Sequence, residues 1–207
     1  MSVDRQLKYL ALGDSYTICT GASDVQHSWP AIISKRIEES TGRHVELTNP
    51  AVNGFTTSDL IRHELPYVQQ LKPDLVTILI GVNDLVRGRN ESFYLATLTQ
   101  IYAAVGALGL PEGRVAAISI PDWWYTPAAA EYGGADHVKR LTESFNEVAE
   151  KTALGHNFTW VDIGKASSAY IGAPGWIASD DLHPGDKQYA AWAEVIWGSV
   201  RDSWTSP

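Results

Sequence analysis

The sequence predicts an α/β fold, a mainly parallel sheet packed between two layers of helices. Three observations predict it. Strand-like and helix-like stretches alternate along the whole chain. The connections between them are short, as in β–α units. The run Leu75-Val76-Thr77-Ile78-Leu79-Ile80 is apolar almost throughout, as a strand covered by helices on both faces needs to be.

Residues 7–12 read as the first strand. Residues 28–41 follow as a helix, with Trp29, Ile32, Ile33 and Ile37 on one face and Gly42 at its end. Residues 45–47 form a short second strand. Ser58 is expected to cap a helix carrying Leu60, Ile61 and Leu65, which Pro66 kinks or ends. Residues 75–80 make the third strand, and a long helix spans roughly 92–108. Residues 115–120 are the fourth strand. Val138, Leu141, Phe145 and Val148 stripe the next helix, and 158–163 make the fifth strand. Residues 188–200 close the pattern as a helix with Tyr189, Trp192 and Ile196 facing inward.

The 207 residues suit one domain spanning 1–207. Hydrophobic residues are 44% and charged residues 19% of the chain, an ordinary globular balance that excludes a disordered chain. The net charge of −8 repels phosphate backbones, so no nucleic acid is expected as a partner. Cys19 is the one cysteine, which rules out an internal disulfide and suits a small buried filler. No Cys/His cluster has the spacing of a metal site, so neither metal nor cofactor is expected. No segment approaches ~20 apolar residues, and the first residues lack a long apolar run. The expectation is a cytoplasmic protein without a membrane segment. The oligomeric state is open.

Right-handed crossovers place the C-terminal ends of parallel strands on one edge, and ligands bind there, near the point where strand order reverses. Site residues should therefore follow strands. Four segments lie where this rule wants them. Gly13-Asp14-Ser15-Tyr16 leaves the first strand on a glycine turn that presents a hydroxyl. Asn53-Gly54 lies after the second strand and leaves an accessible amide. Gly81-Val82-Asn83-Asp84 follows the third strand, and Asn83 carries an amide able to donate to a developing oxyanion. Asp180-Asp181-Leu182-His183 precedes the last helix; an aspartate three residues ahead of a histidine can fold back onto its Nδ1–H. Each segment alone has an ordinary structural explanation. Together they supply a nucleophile, oxyanion donors, and a base with its orienting acid.

These blocks resemble the SGNH-hydrolase superfamily, the GDSL esterases and lipases, whose Ser, Gly, Asn and His match Ser15, Gly54, Asn83 and His183 in order across residues 13–184. The resemblance implies a flavodoxin-like, three-layer α/β/α fold with five central parallel strands. It implies Ser15, Asp180 and His183 as catalytic residues. The oxyanion hole would combine the Ser15 and Gly54 N–H groups with the Asn83 side chain. The spacing favours Asp180 as the orienting acid, with adjacent Asp181 as the alternative. Asp14 is expected to hydrogen-bond the nearby turn.

Trp123, Trp124 and Tyr125 follow the fourth strand at the active edge and either line an acyl or alcohol pocket or pack their loop. The stretch Ile120-Pro121-Asp122-Trp123-Trp124 looks like the proline-containing loop of bacterial members and receives no catalytic role. Trp29, Trp160, Trp192 and Trp197 are expected in the core. His27, His44, His63, His137 and His156 read as surface or structural residues.

The expected function is metal-free hydrolysis of a small-molecule carboxylic ester. Arylesterases, thioesterases, lysophospholipases and carbohydrate deacetylases share the four blocks. The short connections leave no lid insertion, which favours small soluble or short-acyl substrates. An acyltransferase would use the same site with an alcohol acceptor. A non-catalytic α/β binding module is the alternative from a different class, since fold does not fix function. A phosphate-binding module is disfavoured, because no Gly-rich phosphate loop follows the first strand.

Overall fold

A computed structural model describes residues 6–206. The described strands are β1 (Leu7–Gly13), β2 (Val45–Thr48), β3 (Leu75–Leu79), β4 (Val115–Ile118) and β5 (Thr159–Val161). They pair in parallel throughout, in the order β2-β1-β3-β4-β5. Strand order reverses between β1 and β3, so the crevice at their C-terminal ends is the expected ligand position.

The first helices are α1 (Ser15–Ile18), α2 (Trp29–Thr41), α3 (Thr57–His63) and α4 (Leu65–Leu71). After β3 come α5 (Val82–Val86), α6 (Glu91–Gly106) and α7 (Ala135–Gly155). The last are α8 (Gly164–Ser167) and α9 (Asp186–Thr205). Helices α2 and α9 pack together as one layer, while α3, α4, α6 and α7 form the other. This is the three-layer arrangement that the alternation predicts.

The core forms where the sequence puts its apolar residues. Every residue of β3 is buried, as are Trp29, Ile33 and Ile37 of α2 and Tyr189, Trp192 and Ile196 of α9. Trp160 and Trp197 are only partly buried and pack against the core's edge. Helix α2 starts one residue later than expected, because Ser28 caps it with its hydroxyl accepting the Ala31 N–H, and it closes on the expected Gly42 at φ +71°.

Three local expectations are corrected. Thr56, not Ser58, caps α3: its hydroxyl accepts the Asp59 N–H while the Asp59 carboxylate accepts the Thr56 N–H. This reciprocal capping box holds two N–H groups where a Ser58 cap would hold one. Leu65 does not share that helix: the break expected at Pro66 falls at Glu64, and Pro66 lies in the first turn of α4, where a missing N–H costs nothing. The fourth and fifth strands are shorter than expected. Asn146 on α7 captures both the N–H and the carbonyl of Ile120 and so ends the β4 ladder. The Phe158 N–H bonds back to Ala153 of α7, so β5 starts one residue later.

Candidate active site

The turn after β1 is built for a tight reversal. A Cβ on Gly13 would lie 2.1 Å from Thr17 Oγ1 and 2.2 Å from the Leu79 carbonyl oxygen, so no side chain fits. Asp14 then caps the short α1, its Oδ1 accepting the Tyr16 N–H at 3.0 Å. This is the turn contact the sequence suggests for it. Ser15 is the first residue of α1, and its N–H is one the helix leaves without an internal acceptor. The Ser15 hydroxyl makes no hydrogen bond among the described residues. Cys19 ends α1 in the left-handed conformation, with its thiol buried and its acidity suppressed by that burial.

The segment after β2 is tied to this turn by Asn49, whose side-chain amide donates to the Thr17 carbonyl at 2.8 Å. Gly54 adopts φ +83°, and its carbonyl accepts from Arg87 Nη2 at 2.8 Å. Its N–H has no partner among the described residues.

Asn83 lies in α5, directly after β3. Its Nδ2 donates to the Phe55 carbonyl at 2.9 Å and to Asp14 Oδ2 at 3.3 Å. Next to it, Asp84 accepts both the N–H and the hydroxyl of Thr57, which locks α5 to the start of α3. Asn83 is thus fixed from both sides.

The fourth block lies on the loop before α9. His183 Nδ1 is 2.6 Å from Asp180 Oδ2, while Asp180 Oδ1 accepts the backbone N–H groups of His183 and Leu182. Partial burial works to raise the Asp180 carboxyl, but the hydrogen bonds from the His183 side chain and these two amides outweigh it. They hold it below the usual carboxylate range. Asp181 faces solvent, with φ +61° and its N–H on the Ala178 carbonyl.

Ser15, Asn83 and His183 line one cleft of about 80 Å³. Its apolar walls come from Val82, Val86, Leu182, Trp123 and Tyr132. Tyr16 also lines it and packs edge-on against the His183 ring, with centroids 5.9 Å apart. Gly54 itself is not in the lining, but its neighbour Asn53 is. Two larger hollows, of about 400 and 600 Å³, are lined by Gly113, Asn157 and Phe158 and touch none of the four blocks.

Of the three aromatics read as either pocket lining or loop packing, only Trp123 lines the cleft. Trp124 turns away, with Lys139 over its ring and Tyr125 against its edge. Tyr125 is engaged by the Ser167 carbonyl and the Gln188 amide, so its hydroxyl belongs to the α8–α9 junction. The five other histidines line no part of the cleft.

Sequence reasoning missed most of the apolar wall. Tyr16, Val82 and Leu182 stand inside the quoted blocks, each beside a polar site residue, and that adjacency was an available signal. Tyr132 arrives from a short 3-10 helix at Pro127–Tyr132, for which no local pattern exists.

The model of the GDSL-like lipase/acylhydrolase family matches residues 11–191. An arylesterase from Vibrio mimicus is 25% identical over 177 residues, covering 86% of this chain and 80% of that protein. Esterase TesA from Pseudomonas aeruginosa is 26% identical over 197 residues, covering 93% and 87%. Among solved structures, Axe2, an acetylxylan esterase from Geobacillus stearothermophilus, aligns with TM-score 0.76 at 21% identity. It covers 100% of this chain and 99% of that one.

Proposed function

The chain belongs to the GDSL-like lipase/acylhydrolase family and is a carboxylic ester hydrolase, and on that premise we propose that it cleaves short-acyl esters through an acyl-enzyme on Ser15. The observation that carries this reading is the 2.6 Å Asp180–His183 contact, in a cleft that Ser15 also lines.

His183 takes the Ser15 proton as Ser15 Oγ attacks the acyl carbonyl. Asp180 fixes the imidazole tautomer and stabilises the imidazolium that forms. The tetrahedral oxyanion accepts from the Ser15 and Gly54 N–H groups and from Asn83 Nδ2, which exchanges its Asp14 contact for the oxyanion. His183 then protonates the leaving alcohol. Water, deprotonated by His183, releases the acyl group. The free Ser15 hydroxyl fits this cycle, since catalytic hydrogen bonds commonly tighten only when substrate binds.

The small, apolar-walled cleft supports a short acyl group. The cleft of about 80 Å³ is walled beside Ser15 by Val82, Val86, Leu182 and the rings of Trp123 and Tyr132. The test is a series of p-nitrophenyl esters of increasing chain length. The expected result is the highest kcat/KM at the shortest acyl groups. A kcat/KM that climbs steadily into long chains would overturn the short-acyl reading.

A further inference from the structure

Glu64 is buried beneath the nucleophile turn, yet the mechanism above does not use it. It sits at the junction of α3 and α4 with 0% of its surface exposed. Its Oε2 accepts the Gly13 N–H at 2.9 Å, and its Oε1 is buried without a hydrogen-bond partner. Asp14, the next residue along the turn, is equally buried. One of its oxygens holds the Tyr16 N–H, and the other receives the Asn83 amide. A continuous path therefore runs from Glu64 through Gly13 and Asp14 to both Ser15 and Asn83.

We infer that Glu64 is a positioning residue: its buried carboxyl, by accepting the Gly13 N–H, sets the Gly13–Asp14 turn and so aligns Ser15 and Asn83 for the developing oxyanion. The inference rests on the roles proposed above for those two residues.

Two physical points carry it. The Gly13 N–H points into the interior, where an unsatisfied donor is costly, and Glu64 supplies its acceptor. The environment also disfavours the charged form of that acceptor. Burial, and then the nearby Asp14 charge, push the Glu64 carboxyl up to about 8, against the opposing pull of the Gly13 hydrogen bond. Burial likewise pushes Asp14 up to about 7. The other ionisable groups bearing on Asp14 are Asp84 of α5, Tyr16 of α1, Tyr94 of α6 and Tyr189 of α9. Arg62, His63 and Tyr67, the neighbours of Glu64 on α3 and α4, are exposed. No cation acts on this pair among the described residues. An ionised Glu64 would place negative charge beneath a site that must build an oxyanion, and would oppose it in a low-dielectric interior.

The experiment compares wild type, Glu64→Ala, Glu64→Gln and Ser15→Ala on p-nitrophenyl acetate from about pH 6 to about pH 10, with melting curves for each. Glu64→Ala is expected to lose kcat on the order of tenfold or more with little change in KM, the scale on which small misplacements act. Glu64→Gln, which keeps the acceptor and cannot ionise, is expected to restore most of that loss. It should also shift the alkaline decline of kcat to higher pH. Glu64→Ala turning over like wild type would overturn the inference, as would a Glu64→Gln profile with the wild-type alkaline limb. The second result decides alone if Glu64→Ala fails to fold. Activity surviving in Ser15→Ala would instead sink the Ser15 reading itself, so the two failures are distinguishable.

Discussion

Asp180 holds His183 twice: Oδ2 lies 2.6 Å from the ring Nδ1, and Oδ1 accepts the His183 backbone N–H at 2.9 Å. One carboxylate thus fixes both the ring and the loop that carries it. Asp180→Ala should lower kcat by orders of magnitude, up to about 10⁴. Asp181→Ala, at an exposed neighbour with no contact to the ring, should stay within roughly twofold of wild type. Steady-state kinetics of the two single variants checks this, and a reversed order would move the orienting role to Asp181.

Asn83→Ala should lower kcat by about 10²–10³, the usual loss for one oxyanion donor. Because Asn83 also anchors the Phe55 carbonyl, the variant should melt at a lower temperature. Full turnover in a folded variant would remove Asn83 from the oxyanion hole.

Gly21 presses the segment after α1 against the histidine loop. At φ +96°, a Cβ there would lie 2.6 Å from the Pro184 carbonyl and 3.3 Å from His183 Cβ. Gly21→Ala should therefore push His183 away from Ser15, lowering kcat more than tenfold with KM little changed, as small misplacements do. Unchanged kcat would show that the loop accommodates the methyl group.

These cases mark what the sequence could reveal. The alternation of strands and helices, the buried β3 and the inward faces of α2 and α9 follow from apolar periodicity, which is local. The candidate site was legible through four blocks that together resemble one family, each following a strand end or sitting just before α9, and the fold brings Ser15, Asn83 and His183 of those blocks to one cleft. What escaped depends on contacts between distant segments. Trp124 and Tyr125 turn from the cleft because Lys139, Ser167 and Gln188 hold them. Glu64 reads as an ordinary helix glutamate until α3 and α4 fold it under Gly13. Asn146 ends β4 from α7, at a separation of 26 residues. None of these partners leaves a periodic trace in the chain.

The buried acids also set a pH trend in stability. Asp14 rises from 3.8 to about 7 and Glu64 from 4.5 to about 8, both chiefly by burial. The folded protein then holds protons that the unfolded chain has released. Their contribution is full below the ordinary carboxylate values and is lost as pH rises through 7 to 8. Asp180 and Asp59 act oppositely. Their carboxyls lie below the usual range, so their contribution disappears only in stronger acid. Melting temperature should fall between about pH 5 and about pH 8, and Glu64→Gln should flatten that fall. A melting temperature that rises steadily over this range would contradict the assignment.

The central claim is that Ser15 carries the acyl group, and covalent trapping tests it most directly. The protein is treated with a fluorophosphonate probe, digested, and mapped by mass spectrometry. A single adduct on Ser15, absent from folded Ser15→Ala, is the predicted result. An adduct on another residue, or equal labelling and turnover in Ser15→Ala, would contradict it.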